Sequence, residues 1–238
     1  PARGPDLDPA GGSSDGAALP LTPAALAAGR LAAESSTPVD RSRYETVRDV
    51  KRLEHWIARA TETGVLAFDT ETSALDAMKA GLVGLSFAVA PGEAAYVPIA
   101  HVGENGSDLL SGGEGEGQSV GAQIALGDVL DALKPVLADP AILKIGQNVK
   151  YDYLVMLRHG IEIAPFDDTM LISYVLDASS SLEGHGMDEL SERFLGHKPI
   201  SYKELCGSGK SAKAIAACEI SKVTEYAAED ADVTLRLW

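Results

Sequence analysis

The feature that most constrains the fold of this chain is a set of four short apolar runs. Each run is ended by turn residues or followed by a helical pattern. They cover residues 65–68, 81–90, 94–100 and 142–146. Their length and their flanking Gly and Pro residues are typical of buried strands. Pro91 and Gly92 separate the second run from the third, which predicts a β-hairpin.

Helical segments surround these runs. We predict helices over residues 47–61, 129–137, 148–159, 169–176, 187–195 and 220–238. Apolar residues at helical spacing mark the first of them, and Gly64 is placed to end it. Strands come first and helices dominate the second half, so the pattern predicts an α/β fold with a mixed sheet flanked by helices.

Residues 1–43 have a different composition from the rest. They are rich in Pro, Ala, Gly and Ser and hold few large apolar residues, so they bury too little surface to offset their ordering entropy. We expect a disordered linker there, with a short Ala-rich helix over residues 23–33, and a folded domain over residues 44–238. Because the last predicted helix is still running at Trp238, we expect the natural chain to continue past it.

The charge and the cysteine content exclude several classes of protein. A net charge of −15 argues against binding of duplex DNA through a broad basic surface, but not against phosphate contacts through carboxylate-bound metal ions. Two cysteines, Cys206 and Cys218, cannot build a disulfide framework, and we interpret them as packing residues of an intracellular protein. No run is long and apolar enough to predict a membrane span.

Carboxylates at strand and helix spacings are the most informative feature. Strand alternation predicts that Asp69 and Glu71 share one face of the first strand. Asn148 and Asp152, four residues apart, are predicted to share a helix face. Tyr226 and Asp230 have the same spacing in the last helix, where we predict Asp232 to be a surface or capping acid. Each pair alone is also compatible with a solvated strand end or a helix cap.

Together, the four acids point to a site for hard divalent cations. Asp69, Glu71, Asp152 and Asp230 offer only oxygen ligands, which suit Mg²⁺ or Mn²⁺ better than zinc. Two such ions are the usual arrangement for in-line attack on a phosphodiester, and a phenol such as Tyr226 can orient the attacking water.

The order Asp-x-Glu, Asn-x-x-x-Asp, Tyr-x-x-x-Asp resembles the three motifs of the DEDD exonuclease superfamily in its tyrosine-containing branch. The segments FDTETSALD, KIGQNVKYD, FDDTMLISYVLD and YAAEDADVTL are similar to the 3′–5′ proofreading domains of bacterial family A DNA polymerases. The resemblance implies an RNase H-like fold with a five-stranded mixed sheet, completed by a fifth strand over residues 161–164. It also implies a metal-dependent exonuclease that shortens a single-stranded or frayed DNA 3′ end and releases 5′-monophosphates.

The resemblance implies a role for each acid. Asp69 would bridge two metal ions, Glu71 and Asp230 would complete the site of the water-activating ion, and Asp152 would support the second ion. Tyr226 would orient the water. The residues implied to contact the DNA strand are Leu75, Gln147, Asn148, Tyr151 and Tyr202. Gly184 stands where the family often has a phosphate-contacting arginine, and His185 or Lys210 is the expected substitute.

The same resemblance implies a bacterial, nucleoid-associated cytoplasmic monomer joined to a polymerase domain in the same longer chain. Two alternatives remain open at this point. One is an RNase D-like exoribonuclease, which shares the acid motifs. The other is a catalytically silent module that braces a polymerase. The Gly-, Ser- and Glu-rich loop over residues 102–122 has no interpretation.

Overall fold

The protein is described by a computed structural model that covers residues 22–27, 29, 38–103, 121–177, 184–209 and 212–238. It divides into two units, Pro1–Ala33 and Glu34–Trp238. In the first, residues 23–27 and 29 are helical, and the Thr22 hydroxyl oxygen accepts a hydrogen bond from the Ala25 N–H at 3.1 Å. Most of the predicted linker, nearly all of loop 102–122 and Lys210 lie outside the described residues.

The second unit is built on one mixed sheet, as predicted. Within the described residues the sheet has six strands rather than five, in the order β1-β4-β3-β2-β5-β6. The central strands β2, β3 and β4 pair antiparallel, whereas β5 and β6 run parallel to β2. The strands are β1 (Glu45–Thr46), β2 (Val65–Thr72), β3 (Leu82–Ala90), β4 (Glu93–Pro98), β5 (Leu143–Gly146) and β6 (Phe166–Asp168). The additional strand, β1, has only two residues and pairs with β4 at the sheet edge.

The helices lie close to their predicted positions. They are α1 (Val50–Thr63), α2 (Leu126–Ala138), α3 (Lys150–Arg158), α4 (Thr169–Leu176), α5 (Met187–Leu195), α6 (Tyr202–Cys206) and α7 (Ile220–Leu237). Gly64 ends α1 in the left-handed conformation, with a φ of 72°. The short helix α6 was not predicted, and it begins with a capping box in which Ser201 and Glu204 each bind the other's backbone N–H.

The predicted strand over residues 161–164 is wrong. Ile161 and Ile163 are buried in the core but belong to no strand, and the Ala164 N–H donates to the carbonyl of Leu137 instead of to the sheet. Pro165 has no N–H to contribute to a ladder. The last strand therefore starts at Phe166, one residue after the proline.

The alternation of β2 directs its side chains into two cores. Leu66 and Phe68 pack with residues of α1, α2 and α3 on one face. Ala67 packs on the other face against Ala228 and Ala231 of α7. Asp69 and Glu71 follow Ala67 at two-residue intervals, so they project toward the face that α7 covers.

Every helix among the described residues falls short of the combined length and apolarity that crossing a bilayer requires.

Candidate active site

Three acids from two elements meet at the end of β2. The strand continues to Thr72, so Asp69 and Glu71 lie within it rather than after it. Helix α7 places Asp230 opposite them. Each of the three carboxylates offers an oxygen within 4.8 Å of the other two. Glu71 and Asp230 are buried, and Asp69 is partly buried.

Burial and mutual repulsion disfavour the charged forms of these acids. Burial, and then the Glu71 charge, raise the pKa of Asp69 well above its ordinary value. Burial and the charge of Asp152 raise the pKa of Glu71 to about 8. The pKa of Asp230 is raised by burial and then by Asp69 and Glu71. Glu71 Oε1 is buried and makes no hydrogen bond within the described part of the chain. Such a cluster is stabilised by a cation, which removes the repulsion.

Asp152 joins this cluster through the strand. It is buried on α3, and its Oδ1 accepts hydrogen bonds from both the backbone N–H and the hydroxyl of Thr70. Thr70 stands between Asp69 and Glu71 in the sequence. Burial and the Asp69 charge raise the pKa of Asp152, while the Thr70 hydrogen bonds act in the opposite direction. Asp152 is therefore oriented by the strand that carries Asp69 and Glu71.

Two tyrosines lie beside the acids. Tyr226 is one turn before Asp230 on α7, and burial, followed by the charge of Asp230, raises the pKa of its phenol. Its hydroxyl therefore stays protonated at neutral pH. The ring of Tyr202, half exposed on α6, meets the Tyr226 ring edge-on with centroids 6.5 Å apart.

The loop after β2 presents Leu75 to solvent. This side chain is 98% exposed. The Tyr151 hydroxyl contacts the Thr72 hydroxyl and donates to the carbonyl of Ala74, so it fastens the base of the loop to α3. Tyr151 thus supports the segment that carries Leu75.

The loop between β5 and α3 differs from the prediction. Helix α3 starts at Lys150, and Asn148 precedes it with a φ of 59°, in the left-handed region that asparagine tolerates. Asn148 therefore does not share a helix face with Asp152. Gln147 Nε2 donates to the His185 carbonyl at 2.9 Å, and Gln147 Oε1 accepts from the Thr169 hydroxyl.

Asp168 organises this loop and was not predicted to have a role. Its carboxylate accepts the backbone N–H groups of Asn148 at 3.1 Å and Val149 at 3.0 Å. It also caps α4 by accepting from Met170 and Leu171. The Asp-Thr pair at the start of a predicted helix indicates the cap. The hydrogen bonds of Asp168 to the backbone of residues 148 and 149 depend on the parallel pairing of β5 and β6.

His185 and Lys210 are the basic residues suggested in place of the arginine that the family often has before position 185. His185 is described: its Nδ1 lies 2.8 Å from the Ser173 hydroxyl, and its ring stacks on Tyr174 at 3.8 Å between centroids. Lys210 lies outside the described residues.

The acids on both sides of Asp230 have partners of their own. Glu229 is fully buried and accepts from Arg41 Nε, His197 Nε2 and the Ile200 N–H, each at 2.7 Å. Asp232 was predicted at the surface, and this is wrong, because it too is fully buried.

Asp232 binds three groups at the hairpin end of the sheet. Its carboxylate accepts from the Tyr44 hydroxyl at 2.8 Å, the Gly92 N–H at 2.9 Å and Arg236 Nε at 3.0 Å. Successive residues of a helix point in different directions, so Glu229 and Asp232 hold α7 in place while Asp230 faces the acids of β2.

Comparison with known proteins identifies relatives of this chain. DNA polymerase I of Rhizobium leguminosarum is 48% identical over 100% of this chain and 26% of its own length. DNA polymerase I of Pseudomonas aeruginosa is 41% identical over 86% of this chain and 21% of its own length. The chain therefore spans about a quarter of the first of these relatives and less of the second.

A solved structure shows the fold. RNase D of Escherichia coli, described as an exoribonuclease involved in structured RNA processing, superposes with a TM-score of 0.54 at 17% identity, over 81% of this chain and 42% of that one. The mixed sheet flanked by helices is thus RNase H-like, as expected. Residues 44–238, which include all the acids described above, match the 3′-5′ exonuclease family, and the chain belongs to that family.

Proposed function

We propose that this chain is the metal-dependent 3′–5′ exonuclease domain of a DNA polymerase I, which removes nucleotides from a single-stranded or frayed DNA 3′ end as 5′-monophosphates. The observation that carries the proposal is the meeting of Asp69, Glu71 and Asp230 within 4.8 Å, with one buried Glu71 oxygen lacking a partner in the described structure. Tyr226 beside them supplies the hydroxyl group that such a reaction uses.

The donor set suits two divalent cations, Mg²⁺ or Mn²⁺. The three clustered side chains offer only carboxylate oxygen, which hard cations prefer. Asp69 would contact both ions, Glu71 and Asp230 would hold one, and Asp152 would support the other. When bound, the ions lower the pKa of the attacking water and offset charge on the phosphate.

The protein groups orient the reactants. A phenol is protonated at neutral pH even at its ordinary pKa, so the Tyr226 hydroxyl is a hydrogen-bond donor that is suited to orient the water rather than to accept its proton. The exposed Tyr202 ring offers a face for base stacking. Leu75 projects from its anchored loop as a wedge against the terminal base.

The structure gives different support to the other residues that the resemblance implies to contact the DNA strand. Tyr151 acts by fastening the Leu75 loop, and Asn148 shapes the turn before α3. Because the Gln147 amide already binds His185 and Thr169, we assign it to the shape of the site as well as to strand contact. His185 is the described candidate for a phosphate contact, and Lys210 remains a proposal from the sequence.

The net charge of −15 opposes the binding of negatively charged DNA. The cations and a local set of basic residues have to outweigh the field of the chain, so we expect weak and strongly salt-dependent affinity for DNA in the isolated domain. We propose that a polymerase domain of the same longer chain strengthens this binding, in a monomer that works at the bacterial nucleoid.

Digestion of a 5′-labelled single-stranded DNA with Mg²⁺ or Mn²⁺ tests the proposal. We expect a ladder that shortens from the 3′ end by single nucleotides and disappears with EDTA. Asp69→Ala should abolish the ladder. Asp128→Ala, on an exposed part of α2, is the matched control and should retain it.

Other outcomes would identify the alternatives. Faster shortening of an RNA strand of the same sequence would favour an RNase D-like exoribonuclease. The absence of any ladder at high protein concentration and low salt, together with no Mn²⁺ binding in a titration, would indicate a silent bracing module.

A further inference from the structure

Cys206 and Cys218, which the sequence suggests are packing residues, form a buried pair. Their sulfur atoms lie 3.3 Å apart, and both residues are less than a tenth exposed. Cys206 is the last residue of α6, and Cys218 follows a 3₁₀ turn over Ile215–Ala217. The two thiols therefore lie in contact at the two ends of the segment formed by the loop after α6 and the 3₁₀ turn.

The backbone on both sides of the pair is already held. The Lys213 N–H donates to the Cys206 carbonyl at 2.8 Å, and the Cys218 N–H donates to the Ile215 carbonyl at 3.0 Å. A disulfide needs its sulfurs about 2.05 Å apart. The thiols thus have to approach by little more than an ångström.

Metal binding does not explain the pair. Among the described residues, the three acids of the active site form the one group of His, Cys, Asp or Glu side chains with metal-ligand spacing. The Cys218 sulfur also contacts the carbonyls of Leu205 at 3.8 Å and Ala214 at 3.6 Å. Two thiols without a third ligand are suited to oxidation.

We propose that Cys206 and Cys218 are the site of a reversible intramolecular disulfide formed with hydrogen peroxide. One thiolate attacks a peroxide oxygen, which breaks the O–O bond and gives a sulfenic acid and hydroxide. The second sulfur then attacks the sulfenic sulfur and displaces a second hydroxide. The two thiol protons combine with the two hydroxides, so two thiols and one peroxide give one disulfide and two waters.

The reaction is slow at neutral pH. Burial, and then a hydrogen bond with Cys206, raise the pKa of the Cys218 thiol to about 12. Since the thiolate is the reactive form, disulfide formation accelerates as the pH rises. The pair therefore responds to sustained exposure to peroxide rather than to brief contact.

The disulfide would also change how the DNA 3′ end is bound, an inference that rests on the proposed function. Tyr202, the proposed stacking residue, is on the same short helix as Cys206, and a hydrogen bond with Cys206 contributes, after burial, to raising its pKa to about 12. The disulfide removes the thiol hydrogen and draws the end of α6 toward Cys218. We expect the Tyr202 ring to leave its position against Tyr226 and the KM for single-stranded DNA to rise several-fold with kcat retained.

Intact-mass measurement of the metal-free protein, incubated with hydrogen peroxide at mildly alkaline pH, tests the disulfide. We expect a loss of two hydrogen atoms, a peptide map that links the two cysteines, and reversal by dithiothreitol. Cys206→Ser and Cys218→Ser are the matched controls and should show no such loss. An unchanged wild-type mass, or the same loss in a single serine variant, overturns the proposal.

Exonuclease assays on the same samples test the consequence separately. A several-fold higher KM after oxidation, restored by dithiothreitol and absent from the serine variants, supports coupling to Tyr202. An unchanged KM in fully oxidised protein overturns the coupling. If the reduced protein shows no exonuclease activity, the proposed function has failed, while the mass measurement still decides the disulfide.

Discussion

The hydroxyl group of Tyr96 occupies the space where any residue other than glycine at position 84 would carry its side chain. A Cβ atom built on Gly84 would lie 2.0 Å from that oxygen. Gly84 pairs with Glu71 across the β2–β3 ladder, so the fully buried Tyr96 ring lies next to a proposed metal ligand. The Tyr96 hydroxyl is 2.8 Å from His101 Nε2, which holds the ring in this position.

Gly84→Ala should disturb both stability and the site. The added methyl group cannot fit unless Tyr96 moves, and such overpacking costs about 1–3 kcal/mol in the free energy of unfolding. We expect weaker Mn²⁺ binding as well, because Glu71 shifts with its neighbour. Urea unfolding and an Mn²⁺ titration measure the two effects. Gly127→Ala, at an exposed helical position with open space around it, is the control and should be neutral or stabilising.

The metal-free protein should lose stability as the pH rises from 5 to 8. The pKa of Glu71 rises on folding from its ordinary value of 4.5 to about 8. The unfolded chain therefore releases this proton at lower pH than the folded chain, and the free energy of unfolding falls across that interval. Thermal unfolding in EDTA at several pH values measures it. Mg²⁺ should restore the Tm at pH 8, and Glu71→Gln should reduce the pH dependence. A Tm that increases over this range would contradict the assignment.

Thr70→Val should weaken activity without removing any proposed metal ligand. The substitution deletes the hydroxyl that binds Asp152 and leaves the backbone N–H contact. Loss of a group that orients a ligand lowers metal affinity or activity by about 10–100-fold. Initial rates over a range of Mn²⁺ concentrations measure the effect. Thr70→Ser keeps a hydroxyl and should retain most of the activity, and equal losses in both variants would contradict the role of the hydrogen bond.

Asp232→Ala should cost about 3–5 kcal/mol in the free energy of unfolding, the usual effect of breaking a buried ion pair. The side chains of Asp232 and Arg236 are 0% and 1% exposed, and the substitution also leaves the Gly92 N–H without its acceptor. Denaturant unfolding measures the cost. Glu225→Ala, on the exposed face of the same helix, should change stability by no more than about 0.5 kcal/mol. A similar loss in both variants would show that the helix, rather than the buried acid, determines the effect.

Local geometry predicts the pairs from which the acid cluster is built, while the meeting of β2 with α7 is a contact between distant segments. Asp69 and Glu71 share a face through strand alternation, and Tyr226 and Asp230 through one helical turn. The same rules predict the mixed sheet and most helices. The strand predicted over residues 161–164 is wrong because apolar residues such as Ile161 and Ile163 are also buried in irregular backbone. There the N–H groups of Ile161 and Ala164 donate to the carbonyls of Met156 and Leu137 instead of to a neighbouring strand.

The remaining features depend on contacts between distant segments, which one sequence does not reveal. Asp232 binds Tyr44 across 188 positions, so no local pattern marks it as buried. The contact between Cys206 and Cys218 requires the turn at Ile215–Ala217 to fold back against α6. The reach of Asp168 to the backbone of Asn148 likewise follows from strand pairing.

The hydrogen bond from Arg41 to Glu229 affects where the N-terminal boundary of this domain can be set. The family match starts at residue 44, but Arg41 lies before that point and donates to a fully buried carboxylate next to Asp230. A chain truncated at Tyr44 would keep every proposed catalytic residue and still leave Glu229 without its arginine, one position from a proposed metal ligand. The useful boundary of the nuclease therefore lies a few residues upstream of its recognisable sequence.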